Sequence, residues 1–330
     1  MDEPPPAPFA AIIRENSAII EPVKPPPLPP GWTVWKAARG RGGRSRREGG
    51  PSSGEGSSSP AFGAVLFDVY GTLFCSAAGD PAGDPAGSPG KEAETPGGTR
   101  ALDKLAASFA PGRTGTDLRA YFRRSVAGLL EELRLKTDYP ELRVEEIWAR
   151  FLEEEGAARG ASTARRAREL ALRYELAVNP VFPMPGARGA IARLAESGLV
   201  LGIVSNAQFF TPLLFDAFFG GPPDELGFDP GLLFYSFEFG EAKPSPRLFA
   251  AAAGRLAAMG IPAERCLCLG NDMRNDVAAA LGAGFAAALF AGDGRSLRLR
   301  EEEGAPASAR LRPSYIIDSL ADLPLLCAPP

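Results

Sequence analysis

Asp68, Lys243, Asp272 and Asp276 stand out as residues that could do chemistry, because the 330 residues of this chain include no histidine. Without an imidazole there is no Ser-His-Asp or Cys-His nucleophile pair, no His-ligated zinc or haem, and no proton shuttle of the usual kind near neutral pH. Acid, base or metal chemistry must then run on carboxylates, lysine, tyrosine or backbone. Asp68 closes a short apolar run over 62–67 and is followed by Tyr70, Gly71 and Thr72. A carboxylate at a strand end is a good covalent nucleophile when a neighbouring cation neutralises both it and its electrophile. After it, Gly71 lets backbone approach a bound anion and Thr72 can donate its hydroxyl. Ser205 and Asn206 offer a donor pair for the oxygens of a transferred group, although Ser-Asn after a strand also serves simply to make a turn. Lys243 is the cation candidate. The lysines are Lys24, Lys36, Lys91, Lys104, Lys136 and Lys243, so Lys243 stands alone in an arginine-biased second half, and an ammonium is a more compact charge than a guanidinium. Asp272 and Asp276 lie four apart; a hard divalent cation takes such oxygen ligands, and the lack of histidine fits Mg²⁺ better than zinc. The same pair would also complement a helix N-terminus.

Each of these groups follows its own strand pattern. The run over 62–67 is apolar without alternation, as in a strand buried on both faces of a parallel sheet. From Gly186 onward helical and strand patterns alternate: helix 187–196, strand 199–204, helix 211–219, strand 233–237, helix 246–259, strand 266–269, helix 276–281, and strands 285–290 and 315–317. That order predicts an α/β fold with a doubly wound, Rossmann-like parallel sheet and right-handed crossovers. Ligands of such sheets bind at the carboxyl ends of the strands, which is where the candidate residues fall. Ser245 suits an N-cap and Pro246 the first helical position after Lys243. Cys266 and Cys268 alternate along one strand and share a face, where packing is their expected use.

Between the first two strands the apolar spacing turns helical over 116–136, 144–152 and 164–174. The stretch 100–177 is expected to be a small helical bundle inserted into the sheet domain and closed by the Pro-rich hinge 179–186. Tandem Gly-Asp-Pro-Ala repeats mark 78–98 as a low-complexity loop. Residues 1–60 are rich in Pro, Gly, Ser and Arg and read as a disordered tail, with two apolar islands, 9–20 and 32–35, able to dock. The predicted organisation is therefore a tail at 1–60, an α/β core at 61–76 and 183–326, and a helical cap at 77–182.

The charge balance, 36 basic against 40 acidic residues with a net charge of −4, gives no global attraction to nucleic acid or anionic membrane. The basic run 39–47 lacks interleaved aromatics and reads as a solvated linker, so a nucleic-acid partner is not expected. No basic-then-apolar leader opens the sequence, and no stretch approaches the roughly 20 apolar residues of a membrane span. Cys75, Cys266, Cys268 and Cys327 match neither a zinc ribbon nor a disulfide scaffold. A cytoplasmic protein with reduced thiols is expected, and nothing in the sequence sets an oligomeric state.

Taken in order, these motifs resemble the four motifs of the haloacid dehalogenase superfamily of hydrolases. Asp68-Val69-Tyr70-Gly71-Thr72-Leu73 is similar to the first, Ser205-Asn206 to the second, Lys243-Pro244 to the third, and Gly270-Asn271-Asp272-Met273-Arg274-Asn275-Asp276 to the fourth. The resemblance spans 62–325 and implies that the helical insert is a type-one cap. It further implies a catalytic set of Asp68, Tyr70, Thr72, Ser205, Asn206 and Lys243, and a metal set of Asp68, Tyr70, Asp272 and Asp276. Two positions depart from the family pattern. Its phosphatases usually carry an aspartate two residues after the nucleophile as general acid/base, where this chain has Tyr70, as the 2-haloacid dehalogenase branch does. The usual Gly-Asp of the fourth motif becomes Gly270-Asn271-Asp272, which leaves open whether Asn271 or Asp272 meets the metal. The retained acidic pair ranks a Mg²⁺-dependent phosphatase first, acting on a small phosphorylated metabolite through an aspartyl-phosphate. A 2-haloacid dehalogenase working through an aspartyl ester comes second, and a non-catalytic ligand-binding module third.

Overall fold

The structure, a computed structural model, describes residues 9–36, 62–77, 98–300 and 311–328. Six parallel strands form the central sheet: β1 (Ala64–Phe67), β4 (Val200–Ser205), β5 (Phe228–Tyr235), β6 (Cys266–Gly270), β7 (Ala286–Phe290) and β8 (Tyr315–Ile317), in the order β5-β4-β1-β6-β7-β8. β1 is central, with Ala64 paired to Val200 on one side and to Cys266 on the other. Side chains alternate between two apolar layers. Val65, Phe67, Ile203 and Leu269 enter one, while Ala64, Leu66, Cys266 and Cys268 enter the other. Helices cover both faces, as an all-parallel sheet requires. β5 begins earlier than the 233–237 expected from sequence. Pro230 and Gly231 look like a turn, but β5 is an edge strand, where proline is tolerated, and its register against β4 shifts between Leu201 and Ile203.

Between β1 and β4 lie a two-stranded ribbon, β2 (Phe74–Ser76) with β3 (Val181–Pro183), and the helical insert of α2 (Gly98–Phe109), α3 (Gly115–Arg134), α4 (Val144–Glu154) and α5 (Ala161–Val178). Trp148 is its centre, stacked on Phe122 at 5.5 Å and in contact with Tyr174 at 4.9 Å. Such aromatic pairs add stabilisation beyond their buried area. The ribbon joins insert and core and is tied by Ser76 Oγ to Asn179 Oδ1 at 2.7 Å. Crossovers in the core are α6 (Ala187–Glu196), α7 (Thr211–Phe219), the short α8 (Ser236–Phe239), α9 (Pro246–Ala258) and α10 (Ala279–Gly282), with α11 (Leu323–Cys327) after β8. Among these residues no helix is long and apolar enough to cross a membrane. All four cysteines are buried free thiols.

The N-terminal tail is not disordered throughout, which corrects the expectation for 1–60. Residues 9–16 form α1 (Phe9–Asn16), which buries Ile12 and Ile13 and packs on both α5 and α7. Arg168 of α5 covers the rings of Phe9 and Phe209. Two apolar side chains per turn suffice here because insert and core together supply the hydrophobic surface, which no local composition count registers. The low-complexity loop lies outside the described residues apart from Gly98, as does the basic run 39–47.

Where the insert meets the core, Glu141 accepts hydrogen bonds from Ser236 Oγ at 2.5 Å, Gln208 Nε2 at 3.1 Å and its neighbour's backbone Leu142 N–H at 2.9 Å. Burial pushes its carboxyl up from 4.5 to about 7, against the opposing effect of those donors. The folded state therefore keeps a proton that the unfolded chain has released between about pH 4.5 and 7, so stability falls as pH rises through that window. Glu141→Gln is expected to remove that dependence, up to about 1.4 kcal/mol per pH unit. Urea unfolding at pH 5, 6, 7 and 8 checks it; parallel profiles for the two proteins would refute the assignment.

Candidate active site

The carboxyl ends of β4, β1 and β6 place the predicted residues around one lysine. Lys243, only 2 % exposed, points its ammonium at Asp68 Oδ1 (2.7 Å), Asp276 Oδ1 (2.5 Å) and the Val204 carbonyl (3.1 Å). Three acceptors match its three protons. The two carboxylates hold the ammonium pKa above its ordinary value despite burial. Ser205 Oγ donates to the same Asp68 Oδ1 at 3.1 Å, and Thr72 Oγ1 lies 3.2 Å from Asp68 Oδ2 and 3.2 Å from Asn271 Oδ1. Asp68 Oδ2 thus keeps one weak partner and is the freer of the two oxygens.

Asn206 serves the lysine rather than open space. Its amide accepts from Lys243 N–H at 2.6 Å and donates to the Lys243 carbonyl at 3.3 Å, clasping that backbone in place. Tyr70 is turned into the protein, its hydroxyl 2.9 Å from Thr211 Oγ1. Burial, reinforced by the charge of Glu175, makes the phenol a still weaker acid than a free tyrosine. At Gly71, φ is +81° and a Cβ would lie 2.5 Å from the Ser296 Cβ and 2.7 Å from Asn271 Nδ2, so only glycine lets the first motif pack this closely on the fourth.

The fourth motif folds as one π-helical turn, Met273–Ala278, in which Asp272 O accepts from both Asp276 N and Val277 N. Both oxygens of Asp276 are committed, Oδ1 to Lys243 and Oδ2 to the Asp272 N–H at 2.9 Å. Gly270 allows this, since a Cβ there would meet the Asp276 carboxyl at 2.2 Å. Burial, together with the nearby charges of Asp68 and Asp272, pushes Asp276 up to about 7 against the pull of Lys243. Asn271 bridges motifs, donating from Nδ2 to Ser296 O at 2.6 Å. Asp272 Oδ1 caps the turn by accepting from Arg274 N at 2.8 Å and Asn275 N at 3.1 Å.

Sequence reasoning missed Arg300. It donates to Asp272 from Nε at 3.2 Å to each oxygen and from its terminal NH2 group at 2.7 Å to Oδ2. Its loop follows β7 and is laced to the fourth motif by Arg298 N to Asn271 O and Met273 N to Arg298 O, both 2.9 Å. The signal was present as three arginines within six positions, Arg295, Arg298 and Arg300, just past a strand's carboxyl end.

A family model for haloacid dehalogenase-like hydrolases matches residues 62–284. The chain belongs to that family of hydrolases. Among solved structures it is similar to a 2-haloacid dehalogenase from Pseudomonas syringae pv. Tomato (21 % identity, TM-score 0.50, covering 80 % of this chain and 97 % of that one). It is also similar to a HAD phosphatase from Thermococcus onnurineus (18 %, 0.46, 81 % and 98 %). A third is the L-2-haloacid dehalogenase of Xanthobacter autotrophicus with chloropropionic acid covalently bound (21 %, 0.45, 80 % and 98 %). At these identities the likeness is one of fold. No curated protein matches the sequence.

Proposed function

We propose that the chain is a Mg²⁺-dependent phosphohydrolase that uses Asp68 as nucleophile and takes small phosphorylated substrates whose leaving group departs without a proton. The observation that carries this reading is the charge balance at the strand ends. Three buried carboxylates gather at these strand ends, Asp68 and Asp276 paired to the buried Lys243 and Asp272 to the more exposed Arg300, which leaves one negative charge over. Such an oxygen-rich, net-negative set suits a hard divalent cation. Among the described residues no three acidic or thiol side chains form a ready-made cage; the groups that would hold the cation are the Asp68 carboxylate, Asp272 and the Tyr70 backbone carbonyl, while Asp276 orients Lys243. The bound cation would act as a Lewis acid on the phosphoryl group.

Asp68 Oδ2 would attack phosphorus, forming an aspartyl-phosphate, a mixed anhydride, as the bond to the leaving oxygen breaks and that oxygen departs with the bonding pair. Lys243 and Ser205 hold Oδ1 and fix the attacking oxygen's orientation. Water then attacks the same phosphorus and returns Asp68 as carboxylate with release of phosphate. Tyr70, bonded to Thr211 and a weakened acid, supports no proton delivery to the leaving group. Acyl and aryl phosphates, whose leaving groups are stable anions, are therefore favoured over alkyl phosphates. The second reading, carbon–halogen hydrolysis through an Asp68 ester, draws on the same Tyr70 geometry, since halide leaves without a proton.

Purified protein assayed with acetyl phosphate, p-nitrophenyl phosphate, a hexose phosphate and 2-chloropropionate, with Mg²⁺ and with chelator, separates the two. The expected outcome is Mg²⁺-dependent phosphate release with kcat/KM at least about a hundredfold higher on acyl or aryl phosphate than on hexose phosphate, the usual worth of a missing general acid. Metal-independent halide release, with no phosphate released, would move the chain to the second reading.

A further inference from the structure

We propose that Arg300 is a built-in competitor of the divalent cation, closing Asp272 when the metal is absent and leaving it when the metal binds. This rests on the metal-dependent reading above. The two oxygens of Asp272 have different tasks. Oδ1 accepts the backbone N–H groups that cap the π-helical turn, with a longer contact from Arg300 Nε at 3.2 Å, whereas among the described residues Oδ2 accepts only from the guanidinium of Arg300. The contact at 2.7 Å therefore falls on the one oxygen that could be given to a cation without unravelling the fourth motif. Arg300 sets two N–H donors on Oδ2, at 2.7 and 3.2 Å, which take both lone pairs of that oxygen, so the guanidinium and a Mg²⁺ at about 2.1 Å exclude one another there.

Two further observations fit a displaceable pair. Arg300 has φ +51°, and it is the only non-glycine residue with positive φ among those described. Such a conformation persists where side-chain contacts over-determine it, so release of the guanidinium also lets the backbone relax. The pair is also asymmetric in exposure, with the Asp272 side chain 7 % and the Arg300 side chain 24 % accessible. The arginine can withdraw into solvent; the aspartate cannot follow. A guanidinium is already a monovalent stand-in for the cation, which keeps a net-negative site from repelling itself while empty of metal.

The test is Mg²⁺ binding to the full chain by titration calorimetry for wild type, Arg300→Ala and Arg300→Lys, with melting temperatures recorded in chelator and in saturating Mg²⁺. Arg300→Ala is expected to bind Mg²⁺ at least about tenfold more tightly, with Arg300→Lys between the two because an ammonium lacks the two-pronged contact. Arg300→Ala should also melt lower than wild type in chelator and gain more from Mg²⁺. A purely structural arginine would lower the melting temperature without tightening the metal. Equal affinity in wild type and variants overturns the competitor role and leaves the metal reading standing. Absence of Mg²⁺ binding in all three overturns both. Should Arg300→Ala not fold, Arg300→Lys decides alone, tighter binding supporting the role and equal binding overturning it.

Discussion

Asp68→Asn is expected to lower turnover at least about a thousandfold while leaving the protein folded. The amide is isosteric and its oxygen can still accept from Lys243 and Ser205, so the site keeps its shape, but an amide is not a nucleophile at neutral pH. Removing the group that forms the covalent bond typically costs several powers of ten in turnover. The fold should hold because Lys243 retains Asp276 at 2.5 Å as a counter-charge. Steady-state assays on the best substrate of the panel above, together with thermal unfolding, check both halves. Turnover within tenfold of wild type in a folded Asp68→Asn protein would remove Asp68 from the chemistry, whichever substrate class holds.

Lys243→Met is expected to cost both activity and stability. The methionine fills similar volume but leaves Asp68 and Asp276, both nearly fully buried, without a cation between them. Breaking a buried ion pair by removing one partner typically costs about 3–5 kcal/mol, because the desolvated charge that remains is uncompensated. For a chain of this size that corresponds to a fall of roughly 10 °C in melting temperature. Asp68 would also lose the ammonium that holds Oδ1, so its attacking oxygen is no longer fixed in orientation. Lys243→Arg is not expected to rescue, since a planar five-donor fork cannot satisfy itself on three acceptors arranged around a point. A Lys243→Met protein melting within 2 °C of wild type would show that the ammonium is not what balances these acids.

Much of the fold was legible because buried parallel strands and amphipathic helices are read from local pattern. The helices at Ala187–Glu196 and Thr211–Phe219 and the strand Tyr315–Ile317 fall where periodicity and punctuation place them. β5 was legible only in its second half, because Pro230 and Gly231 carry a turn signal that an edge position overrides. α1 was hidden for another reason: its two isoleucines matter only because α5 and α7, far along the chain, present a shared apolar seam. In the site, residue types and order located Asp68, Ser205, Lys243, Asp272 and Asp276. They did not assign contacts. That Asn206 clasps the backbone of Lys243, that Asp276 has both oxygens committed, and that Arg300 reaches in from another segment depend on tertiary placement, which spacing along a chain does not encode.

The central position of β1 also has a consequence for how the protein is made. Its edges are completed by β4 and β6, which lie on the far side of the entire helical insert. Pairings so distant in sequence must meet the entropy of loop closure before any contact rewards them, and they make folding slow. During synthesis β1 emerges before the insert and has no sheet partner until the insert has left the ribosome, whereas α4 and α5 can pack on one another as soon as they appear. By collapsing first, the insert shortens the effective span that β1 and β4 must close. The nascent chain therefore carries the apolar strand Ala64–Phe67 without a sheet partner until β4 has been made, and with one edge open until β6 follows.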